Sequence, residues 1–557
     1  MAISLALIQR LTLFALLVNA AALLSPIING GDSITYAALS QHIALSGDWV
    51  SLVLDGQDWL DKPHLPFWLT ALSFQLFGVG AFAYKLPGFL FHVLGGYFTY
   101  RLARLFYPRE AAWLALLVYA SAFQSMDAAV EVKAETYLNG LIMGACYYWL
   151  RHDAQTRTKH LLLGALFTAG AMMTKGVFTL ITVFSGLVAL WLYRGEWRKL
   201  TSGKWLMAYA LSLLFTAPEW LALYLQFDAH PEKIVFGQSN VSGIRFFFWD
   251  SQFGRFFNSG PIRDTSGGGH PLYFVGVFLW AFLPWVPLYL AALWRGARRF
   301  SGSAAQQREA FVFLGAAFFV TFILFSATPF QLDHYLVILF PFAAILCGGY
   351  LHGLQAERSH WRLPLVQGAI AMLLLGLAVA LAWYVHLPWV LAVALALVGV
   401  ALSATYALYD RMRAAALLVL PLCAVLTLFA VLTLTAALTY RTVGVAWNAG
   451  RALAAQERLP VYVHRMDLVH RELALYHAQP VATIAAADLP PSAHYLLVRA
   501  EDVTTLTTGR AFSEVAQGRW VVHKTGTLPR LLRLARGQEP LEDIRILKIE
   551  GASNGAR

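Results

Sequence analysis

Apolar and polar positions alternate along this chain in long blocks. Apolar stretches lie near 11–28, 88–106, 111–126, 136–150, 160–174, 177–193, 205–226, 272–294, 309–328, 336–353, 364–385, 388–409 and 414–438. A helix needs about 20 apolar residues to cross the hydrocarbon core, so these stretches predict membrane-spanning helices. One further stretch, Pro66 to Val79, is apolar but short, opens on prolines and is rich in aromatic residues. It either spans or lies in the interface. From about Thr439 the pattern shortens to "LPVYVHRM", "QPVATIAAADL", "HYLLVRAED" and "GRWVVHKTG", with a helical run at Gly450–Gln456 between the first two strands and the last span. Such runs predict a small α/β domain.

Basic residues choose between the two readings of Pro66–Val79. If that stretch does not span and the N-terminus is inside, alternate loops become cytoplasmic. They carry Arg101, Arg104 and Arg109; Arg151, Arg157 and Lys159; Arg194, Arg198, Lys199 and Lys204; Arg295, Arg298, Arg299 and Arg308; Arg358 and Arg362; Arg411 and Arg413. Cytoplasmic loops of membrane proteins are enriched in Lys and Arg. The expected fold is therefore a polytopic α-helical membrane protein of about thirteen transmembrane helices with its N-terminus inside. Pro66–Val79 is then an interfacial helix. Residues 1–438 form a transmembrane domain with outer loops at 29–87 and 227–271, and residues 439–557 a soluble α/β domain on the outer side.

Composition agrees. The 557 residues are 58% hydrophobic and 13% charged, against about 25% charged in soluble domains. The net charge of +11 belongs to the inner loops, so nucleic acid is not an expected partner; membrane lipids are. Arg10 precedes the first segment, which has a signal-peptide look. No clean cleavage site follows it, so it is read as an uncleaved first span. Cys146, Cys347 and Cys423 all fall in apolar runs and form neither a CxxC motif nor a disulfide framework. The basic run Pro529–Arg536 suits contact with anionic headgroups.

The chemistry gathers on the outer face. Asp32 follows the first span, and Asp61–Lys62–Pro63 precedes the interfacial helix. Lys85 in "YKLPG", Glu131, Lys133 and Glu135, and Lys175 in "MMTKG" stand at the mouths of spans on the same side. Any one of these is as easily an interfacial anchor; their clustering is what points to a site. Lys and Arg hold a phosphate and stabilise it as a leaving group. An Asp takes the proton from an attacking hydroxyl. A lipid phosphate would present its phosphate at this depth with its tail among the helices. The loop 237–274 is long, aromatic and glycine-rich, carries Arg245, Arg255, Arg263 and His270, and is a candidate lid as well as a candidate aromatic belt. No metal is required by this chemistry. A divalent ion on Asp32, Glu135 and His270 is a further expectation.

The order "GD…Y", "GDW", "DKP…FW", "KLPG", "MTKG", "RF…HPLYF…PW" and "Y…FP" resembles the aminoarabinose lipid A transferases of the glycosyltransferase C superfamily, with bacterial protein O-mannosyltransferases as more distant kin. The resemblance covers about residues 25–350 and is most specific from Asp32 to Trp68. It implies an inverting glycosyltransferase of the bacterial inner membrane. The sugar, 4-amino-4-deoxy-L-arabinose or a similar one, would pass from undecaprenyl phosphate to lipid A or another envelope acceptor on the periplasmic face, and the chain would act as a monomer. It implies Asp32, Lys62 and Glu135 as catalytic residues, and Lys62, Lys85, Lys175 and Arg255 as ligands of the donor phosphate. Asp61, Tyr36, Tyr84, His270 and Tyr335 would bind substrate. The sequence departs from the family pattern at Ser33, where a Glu is usual, and at Glu135, where an Asp is usual; both changes touch the choice of sugar and acceptor. The alternatives are transfer of mannose or another hexose to protein or glycan, and a non-enzymatic transporter of lipid-linked sugar.

Overall fold

The computed structural model describes residues 4–551 except 27, 29, 30, 264–268, 355–361, 387, 408–414, 444, 455, 467, 468, 478 and 522–527. Arg358, Arg411 and Arg413, and residues 264–268 of the 237–274 loop, lie outside the described residues.

The N-terminal part is helical: α1 (Leu5–Ala22), α2 (Gly31–Ser46), α3 (Leu65–Phe77), α4 (Ala81–Phe106), α5 (Arg109–Ser121), α6 (Phe123–Val130), α7 (Ala134–Ala154), α8 (Thr158–Lys175) and α9 (Thr179–Arg194) come first. Helices Ala305–Ala327, Phe340–Leu354, Arg362–Tyr384, Pro388–Ala407 and Leu420–Val443 follow later in the chain. Among the described residues, five helices are long and apolar enough to cross a membrane, or up to eight if three bent pairs each count as one span. The stretches 111–126, 205–226 and 272–294 read as single spans in sequence. Each is instead broken, by 60° after Ser121, by 41° near Thr216 and by 114° between Ala281 and Val286. Pro218 and the pair Pro284 and Pro287 stand at the last two bends, where a missing N–H and a ring clash interrupt the helical ladder. At about 1.5 Å per residue, the 13-residue α3 is shorter than the hydrocarbon core.

Large apolar side chains cover the outside of this bundle. Leu13, Leu17, Leu206, Leu214, Ile323, Leu373 and Trp389 are all more than half exposed, as suits a surface solvated by lipid rather than water. Inside, small residues let helices approach. A Cβ on Gly348 would strike the Ala111 carbonyl and the Ala115 backbone nitrogen of α5, the close approach expected where lipid supplies no hydrophobic drive between helices.

Residues 29–87 are more ordered than an outer loop. Gly31–Ser46 is a full helix with Asp32 in its first turn, where a carboxylate suits the helix dipole. Val53–Leu54 (β1) and Gln57–Asp58 (β2) form a hairpin closed by Asp55 and Gly56, both at positive φ (54° and 79°). Asp-Gly is the pair that such a two-residue turn favours.

The C-terminal part holds a five-stranded sheet of Val461–Val463 (β3), Val481–Thr483 (β4), His494–Arg499 (β5), Phe512–Val521 (β6) and Leu541–Ile549 (β7), in the order β4-β3-β5-β7-β6. β3 pairs in parallel with β4 and β5; β7 runs antiparallel to β5 and β6. Along β5, Tyr495 and Leu497 join one core with the helices Val445–Ala454 and Val469–His477. Leu496 and Val498 join another on the opposite face. That alternation is the period of two of a strand covered on both sides. β7 was not anticipated, although "LEDIRILKI" alternates apolar and polar residues.

Candidate functional site

The segment Asp61–Lys62–Pro63–His64 bridges the hairpin and α3. Gly176, at φ +94°, ends α8 just after Lys175. The side chain of Gln252 lies where a Cβ on Gly176 would stand, so only glycine permits this approach. The lid stretch is helical rather than loose: Gly243–Arg245 continues into a π-helical turn, Phe246–Gly254. Its Phe246 and Phe247 are buried with Leu60, Met172, Leu223 and Phe227, which fixes Gln252 and Arg255 in place.

These elements wall a cleft that opens to solvent. One end is polar, lined by Asp61, Lys62, Lys175 and Arg255; the rest is largely apolar, with Leu138, Phe178, Leu324, Phe325, Phe330 and Ile338. Asp61 accepts from Lys62 Nζ at 3.0 and 3.1 Å and pairs with Arg255. Lys175 pairs with Glu135, and its Nζ stands 3.6 Å from the centroid of the Tyr335 ring. The Arg255 guanidinium lies 5.6 Å from the Phe330 ring centroid. Three cations thus meet at the polar end with two carboxylates holding them in place. Burial pulls the Lys62 ammonium below the usual lysine value, and the charges of Asp32 and Glu135 oppose that shift. Asp32 itself is exposed, close enough to act on Lys62 without lining the cleft. Tyr36 is buried and packs edge-on to Phe67, with ring centroids 5.0 Å apart.

The structure thus brings together Asp61, Lys62, Glu135, Lys175, Arg255 and Tyr335 of the residues expected from sequence. It places others differently. Lys85 is 1% exposed and gives its ammonium to the Ser25 carbonyl at 2.8 Å, so it is a structural tie and not part of the cleft wall. Tyr84 donates its hydroxyl to the Val132 carbonyl at 2.9 Å and is equally buried. His270 is exposed and its Nδ1 accepts from the Leu272 N–H at 3.1 Å. Among the described residues no three His, Cys, Asp or Glu side chains stand close enough to hold a metal ion. Asp32, Glu135 and His270 are therefore not gathered into a metal centre; they sit on three separate elements.

Sequence reasoning missed Gln252, whose amide bonds to the Lys175 carbonyl and the Phe178 N–H, both at 3.3 Å. It missed His334, 3.9 Å from Glu135. It also missed the buried pair of His64 and Glu219, 3.0 Å apart with both side chains fully buried. The one available signal was Glu219 itself, a lone carboxylate inside the apolar run "LLFTAPEWLAL".

Residues 61–221 match the family model described as dolichyl-phosphate-mannose-protein mannosyltransferase. Over 337 residues the chain is 28% identical to the undecaprenyl phosphate-alpha-4-amino-4-deoxy-L-arabinose arabinosyl transferase of Edwardsiella ictaluri, covering 59% of this chain and 56% of that one. A transferase of the same description from Shewanella sediminis is 24% identical over 379 residues, 65% of each chain. The chain thus spans little more than half to two thirds of the length of these relatives. Among solved structures, ArnT from Cupriavidus metallidurans bound to undecaprenyl phosphate matches with a TM-score of 0.72 at 17% identity over 100% of both chains. The apo state of the same protein gives 0.70 at 18% over 99% of both. The chain is aminoarabinose transferase-like in sequence, and its fold is the multi-pass membrane fold of ArnT.

Proposed function

We propose that this chain is an inverting membrane glycosyltransferase that moves 4-amino-4-deoxy-L-arabinose from undecaprenyl phosphate to lipid A. The observation that carries the reading is the two-ended cleft: three cations at one end suit a phosphate, and the apolar wall beyond them suits a polyprenyl tail. ArnT from Cupriavidus metallidurans, which binds undecaprenyl phosphate, and the Edwardsiella ictaluri undecaprenyl phosphate-aminoarabinose transferase support the same donor.

In this reading Lys62, Lys175 and Arg255 hold the donor phosphate, and Asp61 and Glu135 orient those cations. The acceptor oxygen attacks the anomeric carbon from the face opposite the phosphate. The new C–O bond forms as the old one breaks, and undecaprenyl phosphate departs with the bonding electron pair into a cationic pocket. A phosphate acceptor is already an anion, so Asp32 positions it; a hydroxyl acceptor would give its proton to Asp32. Tyr335 and Tyr36 flank the sugar. The cations neutralise the leaving group, so the reaction needs no metal. Thirteen spans with the N-terminus in the cytoplasm would put the cleft and residues 439–557 in the periplasm of a bacterial inner membrane, in a chain working as a monomer. The basic loops support that topology.

The test is mass spectrometry of reconstituted protein with defined polyprenyl-phosphate sugars and purified lipid A, in the presence of a chelator. Sugar mass added to lipid A is expected, and Asp32→Asn is expected to lower turnover by about a hundredfold through misplacement of the acceptor while the protein still folds. Wild-type turnover in that variant would remove Asp32 from the mechanism. A second reading, hexose transfer to protein, is favoured by the family match over residues 61–221. Mass appearing on envelope protein and not on lipid A would select it.

A further inference from the structure

A carboxylate buried among apolar residues costs several kcal/mol unless it is fully partnered. Glu219 is such a group, 0% exposed, and the transfer reaction does not use it. It sits in the helix Ala217–Leu223, just past the bend at Thr216. Both of its oxygens face one residue, 155 positions away in sequence. Oε2 accepts from the His64 backbone N–H at 2.9 Å, and Oε1 lies 3.0 Å from His64 Nδ1. The other ring nitrogen, Nε2, is 2.9 Å from the Val50 carbonyl. A carbonyl only accepts, so Nε2 carries a proton, and Nδ1 shares one with Glu219. The ring is thereby tied at both ends.

His64 follows Lys62 by two residues, and the intervening Pro63 has a fixed φ. Little slack remains between the tied imidazole and the lysine and aspartate at the polar end of the cleft. The stretch after Glu219 holds the preceding segment in the same way. Gln226 exchanges two hydrogen bonds with the Leu52 backbone, at 2.9 and 3.0 Å, and a third with Asp58 at 2.9 Å. Trp68 Nε1 closes the arrangement on the Trp49 carbonyl at 2.7 Å.

We infer that Glu219 is a positioning residue for the donor-phosphate site: acting through His64, it sets where Lys62 stands in the cleft. The inference rests on the phosphate-binding reading given above. It assigns a function to the one carboxylate of the bent 203–228 helix pair that lies in its apolar part, and it treats His64 as the link between that helix and the chemistry.

A double-mutant cycle on the full chain in detergent tests it, with undecaprenyl phosphate as the probe and melting curves as the check on folding. Glu219→Ala is expected to weaken binding about tenfold. In the Lys62→Ala background the same substitution is expected to cost less than about twofold, because no ammonium remains to be placed. A role confined to stability predicts a lower melting temperature with unchanged binding by the folded protein; that result overturns the inference. So does a tenfold loss that persists without Lys62. If Glu219→Ala does not fold, Glu219→Asp takes its place in the cycle. Its shorter arm cannot reach both His64 atoms, so the same Lys62-dependent loss is expected, and unchanged binding overturns the inference. Wild-type protein that fails to bind undecaprenyl phosphate would instead overturn the donor assignment, before the cycle begins.

Discussion

Lys62 is a cation held in a mostly buried place, and its titration follows from that. Burial favours its neutral form, and the charges of Asp32 and Glu135 offset this only in part. As pH rises, Lys62 therefore loses its proton earlier than an exposed lysine would. Affinity for the donor phosphate should fall over the same range. Arginine stays charged throughout, so Lys62→Arg is expected to hold its affinity for undecaprenyl phosphate at alkaline pH where wild type loses it. Binding measured from pH 7 to pH 10 checks this, and equal slopes would show that another group titrates. Lys62, Lys175, Asp61 and Tyr335 were legible in the sequence because each is polar or aromatic at the mouth of an apolar stretch, and Arg255 because it stands in the long aromatic outer loop. Gln252 and the pair of His64 and Glu219 were not. Their roles depend on partners 77 and 155 residues distant, and no local pattern encodes such a pairing.

Among the elements, the hairpin tip and α2 contact the C-terminal part. Asp55 accepts from His470 Nε2 and Arg471 Nε, both at 2.9 Å. Gln41 Nε2 donates to the Ala474 carbonyl at 3.0 Å, and the Tyr476 hydroxyl to that of Pro26 at 2.8 Å. The sheet domain is thus fastened to the helix that bears Asp32. Partial burial raises the Asp55 carboxyl, but the hydrogen bonds from His470 and Arg471 outweigh it and leave the group well below the usual carboxylate range. A carboxylate depressed on folding stabilises above its unfolded pKa of about 4, and that stability is lost as pH falls below it. Asp55→Asn is expected to cost about 1 kcal/mol at neutral pH, a small figure because Asp55 is one third exposed. The melting difference from wild type should shrink between about pH 5 and pH 3. At the helix crossing, Gly348→Val must push α5 away from Phe340–Leu354, and a loss of about 1–3 kcal/mol or failure to accumulate is expected. Accumulation of folded protein, followed by size-exclusion chromatography, measures it.

For the whole molecule, the apolar outer surface and the broken helices describe a protein solvated by lipid. The topology expected from basic loops sets the sheet domain outside. Cys146 and Cys347 are buried and Cys423 is half-buried, so in a Cys423→Ser background a cysteine introduced at exposed Thr504 offers a clear label. Thr504→Cys is expected to react with a membrane-impermeant maleimide in intact spheroplasts to the same extent as in opened ones. Reaction only after opening would invert the topology.

The sequence by itself determined the class of the molecule. Apolar block length and the placement of Lys and Arg are properties of consecutive residues, and the bilayer reads them locally. It also marked the outer mouths of the spans as the place where charge collects, and most strands of the C-terminal sheet through their period of two. Only the tertiary structure decided where helices bend, that Lys85 and Tyr84 are spent on backbone carbonyls, and that Asp32, Glu135 and His270 do not meet. It alone showed that the stretch from Ser251 to Phe256 forms a wall of the cleft and that Glu219 reaches His64. These outcomes depend on which distant groups satisfy one another once water is gone, and that is settled by packing in three dimensions rather than by the order of residues along the chain.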